Sequence, residues 1–174
     1  MTVEELRRFI REIPDFPKPG IVFKDITPLL ADGPAFAFAV DRISERYRGK
    51  VDKVLGIESR GFILGAAVAY ALRCGFAIVR KAGKLPHETL RASYELEYGV
   101  DSLEIHRDAL HPPERVLVVD DLLATGGTAR ATVELVEKLG SRVVECAFLV
   151  ELGALGGRRK LEPVPVFSLV RYEK

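Results

Sequence analysis

The sequence predicts an α/β fold in which a central, mostly parallel sheet is flanked by helices on both faces, and three observations carry that expectation. Short runs of aliphatic and β-branched residues, Lys53 to Ile57, Phe76 to Val79 and Val116 to Val119, read as strands buried on both faces, as the central strands of a parallel sheet are. The first and last of these lead through a glycine-bearing turn into a helical stretch, the alternation that builds parallel sheets with crossover helices. With 174 residues, 48% of them hydrophobic, the chain can bury one full core, so a single domain over residues 1–174 is expected.

Taken in order, Val3 to Ile13 is expected to form a short amphipathic helix, with Leu6, Phe9, Ile10 and Ile13 on one side and Pro14 closing it. From Asp15 to Pro28 the chain reads as irregular, stiffened by Pro17, Pro19 and Gly20, with a short extended piece at Ile21 to Lys24. Pro34 suits the first turn of a helix running to about Tyr47, which Gly49 and Lys50 break. The strand Lys53 to Ile57 is followed by Glu58-Ser59-Arg60-Gly61 and an apolar helix, Phe62 to Leu72, in which Gly61 and Gly65 permit close approach to the sheet. Arg80, Lys81 and Lys84 follow the third strand; on spacing alone they are a solvated cationic rim. Between Thr89 and His106, Tyr94, Leu96 and Tyr98 alternate with Glu95 and Glu97, and Leu103 and Ile105 resume the alternation after a turn, the pattern of a β-ribbon. Arg142 to Leu149 and Val166 to Val170 are the last strands, separated by a small basic helix or turn around Gly156 to Lys160.

Charge and composition narrow the function classes. The net charge of +1 implies no strong field for nucleic acid or an acidic membrane. No apolar run reaches membrane-spanning length, and the N-terminus is charged where a signal peptide would be apolar, so a cytoplasmic protein is expected. Cys74 and Cys146 lie in apolar surroundings without metal-ligand spacing and read as buried thiols. The three histidines are scattered.

Chemistry concentrates in Val116 to Thr128, VLVVDDLLATGGT. Asp120 and Asp121 stand where a buried strand leaves its sheet, the end at which parallel sheets open into ligand crevices. The turn Ala124-Thr125-Gly126-Gly127-Thr128 then enters an amphipathic helix with Ala129, Val133, Val136 and Leu139 on one face and Gly140 past its end. The first amides of a helix lack intrahelical partners and carry the positive end of its dipole, so a glycine turn there can wrap a phosphate. Two carboxylates cannot bind that phosphate; they suit the hydroxyls of a ribose or a hydrated Mg²⁺ beside it. Strand, acidic pair and phosphate cradle together point to a sugar phosphate.

The segment VVDDLLATGGT resembles the 5-phosphoribosyl 1-pyrophosphate (PRPP) signature of the type I phosphoribosyltransferases, in the form carried by members that act on adenine. The resemblance covers nearly the whole chain, including DFPKPGIVFKDITPLL from Asp15, ESRGFILG from Glu58, VRKAGKLP from Val79, ASYELEYG from Ala92, and LVEL with PVPVFSLVRYE near the end. It implies the type I phosphoribosyltransferase fold, with an N-terminal hood over about residues 1–30 and a ribbon lid over about residues 84–106. The implied activity is purine salvage: transfer of the phosphoribosyl group of PRPP to N9 of adenine, giving AMP and pyrophosphate, by a homodimer using Mg²⁺ and binding neither nucleic acid nor membrane.

Carried over to this sequence, the resemblance assigns the 5′-phosphate to Ala124, Thr125, Gly126, Gly127 and Thr128, and the ribose to Asp120 and Asp121. It assigns pyrophosphate to Glu58, Ser59, Arg60, Arg80, Lys81 and Lys84, with a cis peptide at Glu58-Ser59, a further catalytic part for Arg60, and Arg80 reaching across the dimer interface. Phe23 would stack on the adenine while the backbones of Val22 and Lys24 read its edge, which offers an acceptor beside a donor. Glu97 matches a catalytic acid near N7 of the base. Mg²⁺ would be held mainly by substrate and water, with Asp120 and Asp121 as further candidate ligands. Ala124 stands where enzymes for 6-oxopurines carry Asp, which favours adenine. A phosphoribosyltransferase for xanthine, hypoxanthine or guanine, and a non-catalytic PRPP-sensing regulator, are the alternative readings; such regulators append a DNA-binding domain, for which the residues before Asp15 leave little room.

Overall fold

In the computed structural model, which describes residues 1–96 and 99–174, the N-terminal segment departs from the single helix its periodicity predicts. Helix α1 is only Val3–Arg7, fixed by a capping box: the Glu5 amide donates to Thr2 Oγ1 (3.1 Å) and the Thr2 amide to Glu5 Oε2 (2.7 Å). Arg11–Ile13 forms strand β1 instead, paired antiparallel with β2, Phe23–Asp25. Cross-strand charge favours the pairing, with Arg11 Nε 3.1 Å from Asp25 Oδ2 and Lys24 Nζ 3.0 Å from Glu12 Oε1. This small sheet is the frame of the hood. Thr27–Ala31, whose first two residues are expected to close the irregular stretch, is a short helix, α2, with Pro28 in its first turn and Leu29 fully buried. Helix α3 (Gly33–Tyr47) follows, its start capped by Asp32 Oδ1, which accepts from the Ala35 amide at 2.9 Å.

The remaining elements are β3 (Lys53–Ile57), α4 (Arg60–Leu72), β4 (Gly75–Lys81), β5 (Thr89–Leu96), β6 (Gly99–His106), β7 (Arg115–Leu123), α5 (Gly127–Lys138), β8 (Arg142–Leu152), α6 (Gly157–Lys160) and β9 (Val166–Tyr172). Seven strands make one sheet in the order β5-β6-β4-β3-β7-β8-β9. Strands β4, β3, β7, β8 and β9 run parallel, and the β5-β6 ribbon joins antiparallel along β4. The predicted mostly parallel α/β sheet is therefore the observed one, and the ribbon is its edge.

Both faces of the sheet are covered, which is why its central strands read as unbroken apolar runs. Leu117 and Val119 of β7 point into a core shared with α3 and α4, where Ile43, Leu64 and Val68 lie. Val116 and Val118 point into a second core under α5, with Val133, Val136 and Phe148. Cys146 is buried in the second core, and burial pushes its thiol up to about 12. Cys74, expected to be buried, is only half so; it sits past the end of α4, where its Sγ lies 3.6 Å from the Val51 carbonyl. Among the described residues no helix is long and apolar enough to cross a membrane.

Packing is tight where α4 crosses β3. A β-carbon on Gly56 would stand 2.7 Å from Phe76 Cζ and 2.8 Å from the Gly61 carbonyl oxygen, and one on Gly65 would stand 2.7 Å from Phe76 Cε1. The ring of Phe76 fills the space that two missing side chains leave, so both glycines are needed for the helix to seat. Gly56→Ala is expected to destabilise the fold by about 1–3 kcal/mol through overpacking, read as a lowered urea midpoint. Phe76→Leu in that background should restore only part of the loss, because the Gly61 carbonyl still blocks the methyl group.

Candidate functional site

Three strand ends, those of β3, β4 and β7, open at the same edge of the sheet, where parallel folds place their ligands. The turn after β3 carries a cis Glu58–Ser59 peptide, as the resemblance implies, and brings Gly61 against β7. A β-carbon on Gly61 would lie 2.8 Å from Asp120 Oδ1 and 3.1 Å from the Val119 carbonyl. Glycine alone lets the start of α4 sit on the acidic pair.

Asp120 and Asp121 are only 8% and 7% exposed, inside the last residues of β7 rather than beyond its end. The Asp121 amide donates to Asp120 Oδ1 at 2.8 Å, and Arg60 Nε donates to Asp121 Oδ2 at 2.6 Å. Burial first, then the charge of Asp121, holds the Asp120 carboxyl well above the usual carboxylate range. Arg60 thus belongs with the acids, and it also links them to the hood, its guanidinium carbon being 5.8 Å from the centre of the Phe23 ring. Phe16 meets Phe23 edge to face at 5.2 Å. Val22 is exposed beside them, and the Lys24 ammonium is already committed to Glu12 and to the face of Tyr172, 4.1 Å away.

A second cluster surrounds Glu58. Its Oε1 accepts from Arg80 Nε at 2.9 Å and from the Lys81 amide at 3.3 Å, and its Oε2 from Lys84 Nζ at 2.5 Å. Burial opposes its ionisation, but the bonds from Lys84 and Arg80 outweigh that and leave the carboxyl below its ordinary value. Ser59 is exposed at the mouth of this cluster. Lys81 turns to the ribbon instead, where its ammonium pairs with Asp101 and donates to the Tyr94 hydroxyl at 2.7 Å.

The third part is the loop from Ala124 to Thr128. Gly126 takes φ +89°, a left-handed conformation that favours glycine, and immediately precedes α5. The Thr132 hydroxyl donates to the Thr128 carbonyl at 2.8 Å, inside the first turn. Thr125 is exposed and Thr128 half-buried. Between this loop and the ribbon lies a cavity of about 290 Å³ bounded by Lys81, Tyr94, Leu123, Thr125, Gly127 and Phe148. Unpartnered amides at the start of a helix, opening into a small cavity with an ammonium on its far wall, can hold an anion.

All the expected site residues that the structure describes are at this edge, in three adjoining groups: hood and acids, the Glu58 cluster, and the loop. Glu97, the expected catalytic acid, and Tyr98 lie outside the described residues. Sequence reasoning missed Tyr94 and Asp101. The alternation showed a ribbon, but only its register, with Tyr94 opposite Asp101, reveals that both meet Lys81.

Comparison with known proteins bears on the chain as a whole. The family model described as the phosphoribosyl transferase domain matches residues 29–171. The adenine phosphoribosyltransferase of Geobacter metallireducens is 60% identical over 171 residues, which span 98% of this chain and 100% of that protein. The crystal structure of adenine phosphoribosyltransferase from Thermoanaerobacter pseudethanolicus is similar with a TM-score of 0.95 at 53% identity, covering 98% of this chain and 100% of that one. The Saccharomyces cerevisiae enzyme, solved with an imino-altritol bisphosphate and adenine, gives 0.92 at 42% identity over 96% of this chain and 97% of its own.

The Glu58 cluster has a pH signature. Its carboxyl is lowered in the fold, so the native state gains stability above the ordinary carboxylate range and loses it as pH falls through the lowered value. Because Arg80 and Lys84 are partly solvated, Glu58→Gln is expected to lower stability by only about 1 kcal/mol near neutral pH. Urea titrations repeated toward acid pH should show that difference shrinking to nothing.

Proposed function

The chain belongs to the phosphoribosyl transferase family, and from that premise we propose that it is a purine-salvage enzyme that transfers the 5-phosphoribosyl group of PRPP to N9 of adenine, releasing pyrophosphate and AMP. The observation that carries this reading is the buried acidic pair seated between a glycine turn and a phosphate-binding helix start, in a chain whose full-length relatives are adenine enzymes.

The chemistry follows from where charge develops. Breaking the bond between the ribose anomeric carbon and pyrophosphate leaves an oxocarbenium-like sugar, and N9 of the base then bonds to that carbon. Asp120 and Asp121 hold the ribose hydroxyls and favour the positive sugar, while Arg60 fixes the orientation of Asp121. Residues 124–128 anchor the 5′-phosphate, and this remote binding energy positions the reacting carbon. Glu58, Ser59, Arg80, Lys81 and Lys84 face the departing pyrophosphate, whose charge draws Arg80 and Lys84 from Glu58 and Lys81 from Asp101. Phe23 stacks on the adenine; the backbones of Val22 and Lys24 read its edge; Glu97 manages the proton near N7. The ribbon excludes water that would otherwise capture the sugar.

Mg²⁺ fits this donor set. Asp120 and Asp121 supply hard oxygen atoms that would hold the ion, with substrate oxygens and water completing its shell, as Mg²⁺ generally keeps several waters. When bound, the ion would neutralise charge on the leaving pyrophosphate. The reading extends to a cytoplasmic homodimer, supported by family likeness.

Two measurements test it. AMP should form from PRPP and adenine with Mg²⁺ but not from hypoxanthine, guanine or xanthine in parallel, and a chelator should abolish it; product with an oxopurine alone would overturn the base assignment. Asp121→Asn is expected to reduce kcat by about a hundredfold with an unchanged melting temperature, and unaltered kinetics would remove the residue from the mechanism.

A further inference from the structure

We propose that Gly157, on the four-residue helix α6, is a positioning residue that sets the phosphate loop from behind. The inference rests on the function above only for the identity of the loop's ligand. A β-carbon on Gly157 would stand 2.5 Å from the Ala124 carbonyl oxygen and 2.8 Å from Leu123 Cδ1. The contact is reciprocal, since a β-carbon on Gly126 would stand 2.8 Å from the Gly157 carbonyl oxygen. Two backbones therefore touch with no side chain between them, at the first and third residues of the loop.

One partner in this contact is fixed. Arg158, next to Gly157, sets its guanidinium on Glu151 of β8 at 2.6 and 3.3 Å and donates to the Val166 carbonyl of β9 at 2.8 Å. Glu151 is 2% exposed and also accepts from Ser168 Oγ at 2.6 Å. Leu161, just past α6, is fully buried. Helix α6 is thereby bolted to two strands through a forked, charge-assisted contact. The loop opposite, Ala124 to Thr128, carries no charged side chain with which to make such an anchor. A methyl group added at Gly157 displaces the loop rather than the helix, and with it the amides that wrap the phosphate. A misplacement of about 1 Å in a positioning group costs up to about a hundredfold.

The neighbouring glycine supplies the control. Gly156 has φ +68° and open space where its β-carbon would be, so Gly156→Ala adds backbone strain without touching the loop, whereas Gly157→Ala adds the contact. Ribose 5-phosphate binding, followed by calorimetry, and steady-state kinetics read the two apart. G157A is expected to weaken ribose 5-phosphate and raise KM for PRPP by at least about tenfold, with KM for adenine unchanged. G156A is expected to lower the melting temperature and leave ribose 5-phosphate affinity as in the unaltered protein. Equal affinity in G157A and the unaltered protein, equal losses in both variants, or a parallel rise in both KM values overturns the proposal. If G157A does not fold, Arg158→Lys keeps the charge and loses the fork, and must weaken ribose 5-phosphate; unchanged affinity overturns the proposal equally. An unaltered protein that binds ribose 5-phosphate, loses it in G157A and makes no AMP from adenine upholds the positioning role while refuting the adenine assignment.

Discussion

The structure depends on backbones approaching closer than any side chain permits, and the approach of Gly61 to the Asp120 carboxylate is the one on which the site is built. Two acids in neighbouring positions of a buried strand are costly, since burial and the charge of Asp121 both disfavour charge on Asp120. The fold offsets this locally. The start of α4 is drawn in over the pair by a residue with no side chain, and the same turn delivers Arg60 to Asp121 at 2.6 Å. Moving that helix outward by the width of a methyl group would loosen the ion pair and admit water to Asp120. The wedge of Phe76 between Gly56 and Gly65 holds the same helix at the same height one turn further along.

Charge in the site is arranged as internal pairs rather than as a bare field. Arg80 and Lys84 are held by Glu58, Lys81 by Asp101 and Arg60 by Asp121. On the proposed function a polyanionic substrate would enter by exchange, each cation passing from a protein carboxylate to a ligand oxygen. This reconciles a net charge of only +1 with a ligand carrying several negative charges.

Much of this was legible in the sequence, for physical reasons. Strands buried on both faces leave continuous apolar runs, so β3, β4 and β7 could be read directly, and the loop at residues 124–128 shows itself because glycines just before an amphipathic run leave the first amides of a helix open to a ligand. The hood was harder. Arg11–Ile13 continues a helical periodicity but pairs with β2, because the cross-strand contacts to Asp25 and Lys24 lie more than ten residues away in sequence and local pattern cannot weigh them. Likewise Lys81, read as part of a cationic rim, meets Tyr94 and Asp101 only through the ribbon's register. Gly61 and Gly65 were legible as close-approach residues, but the partner that needs them, the Phe76 ring for Gly65 and the Asp120 carboxylate for Gly61, is a tertiary fact.

The ribbon is graded along its length. At its root, three residue pairs join β6 to β4, and Glu104, 5% exposed, ties the Gly83 amide, Thr89 and Arg91 together beside buried Ala92, Leu103 and Ile105. Toward its tip, Leu96 and Val100 are 50% and 67% exposed. Opening free energy follows buried contact, so Leu96 and Val100 are held less firmly than the root is. The five parallel strands meet the ribbon at its root, through β4, and Lys81 of β4 reaches further out to Asp101 and Tyr94, so the hold of the sheet on the ribbon weakens in steps outward from the root.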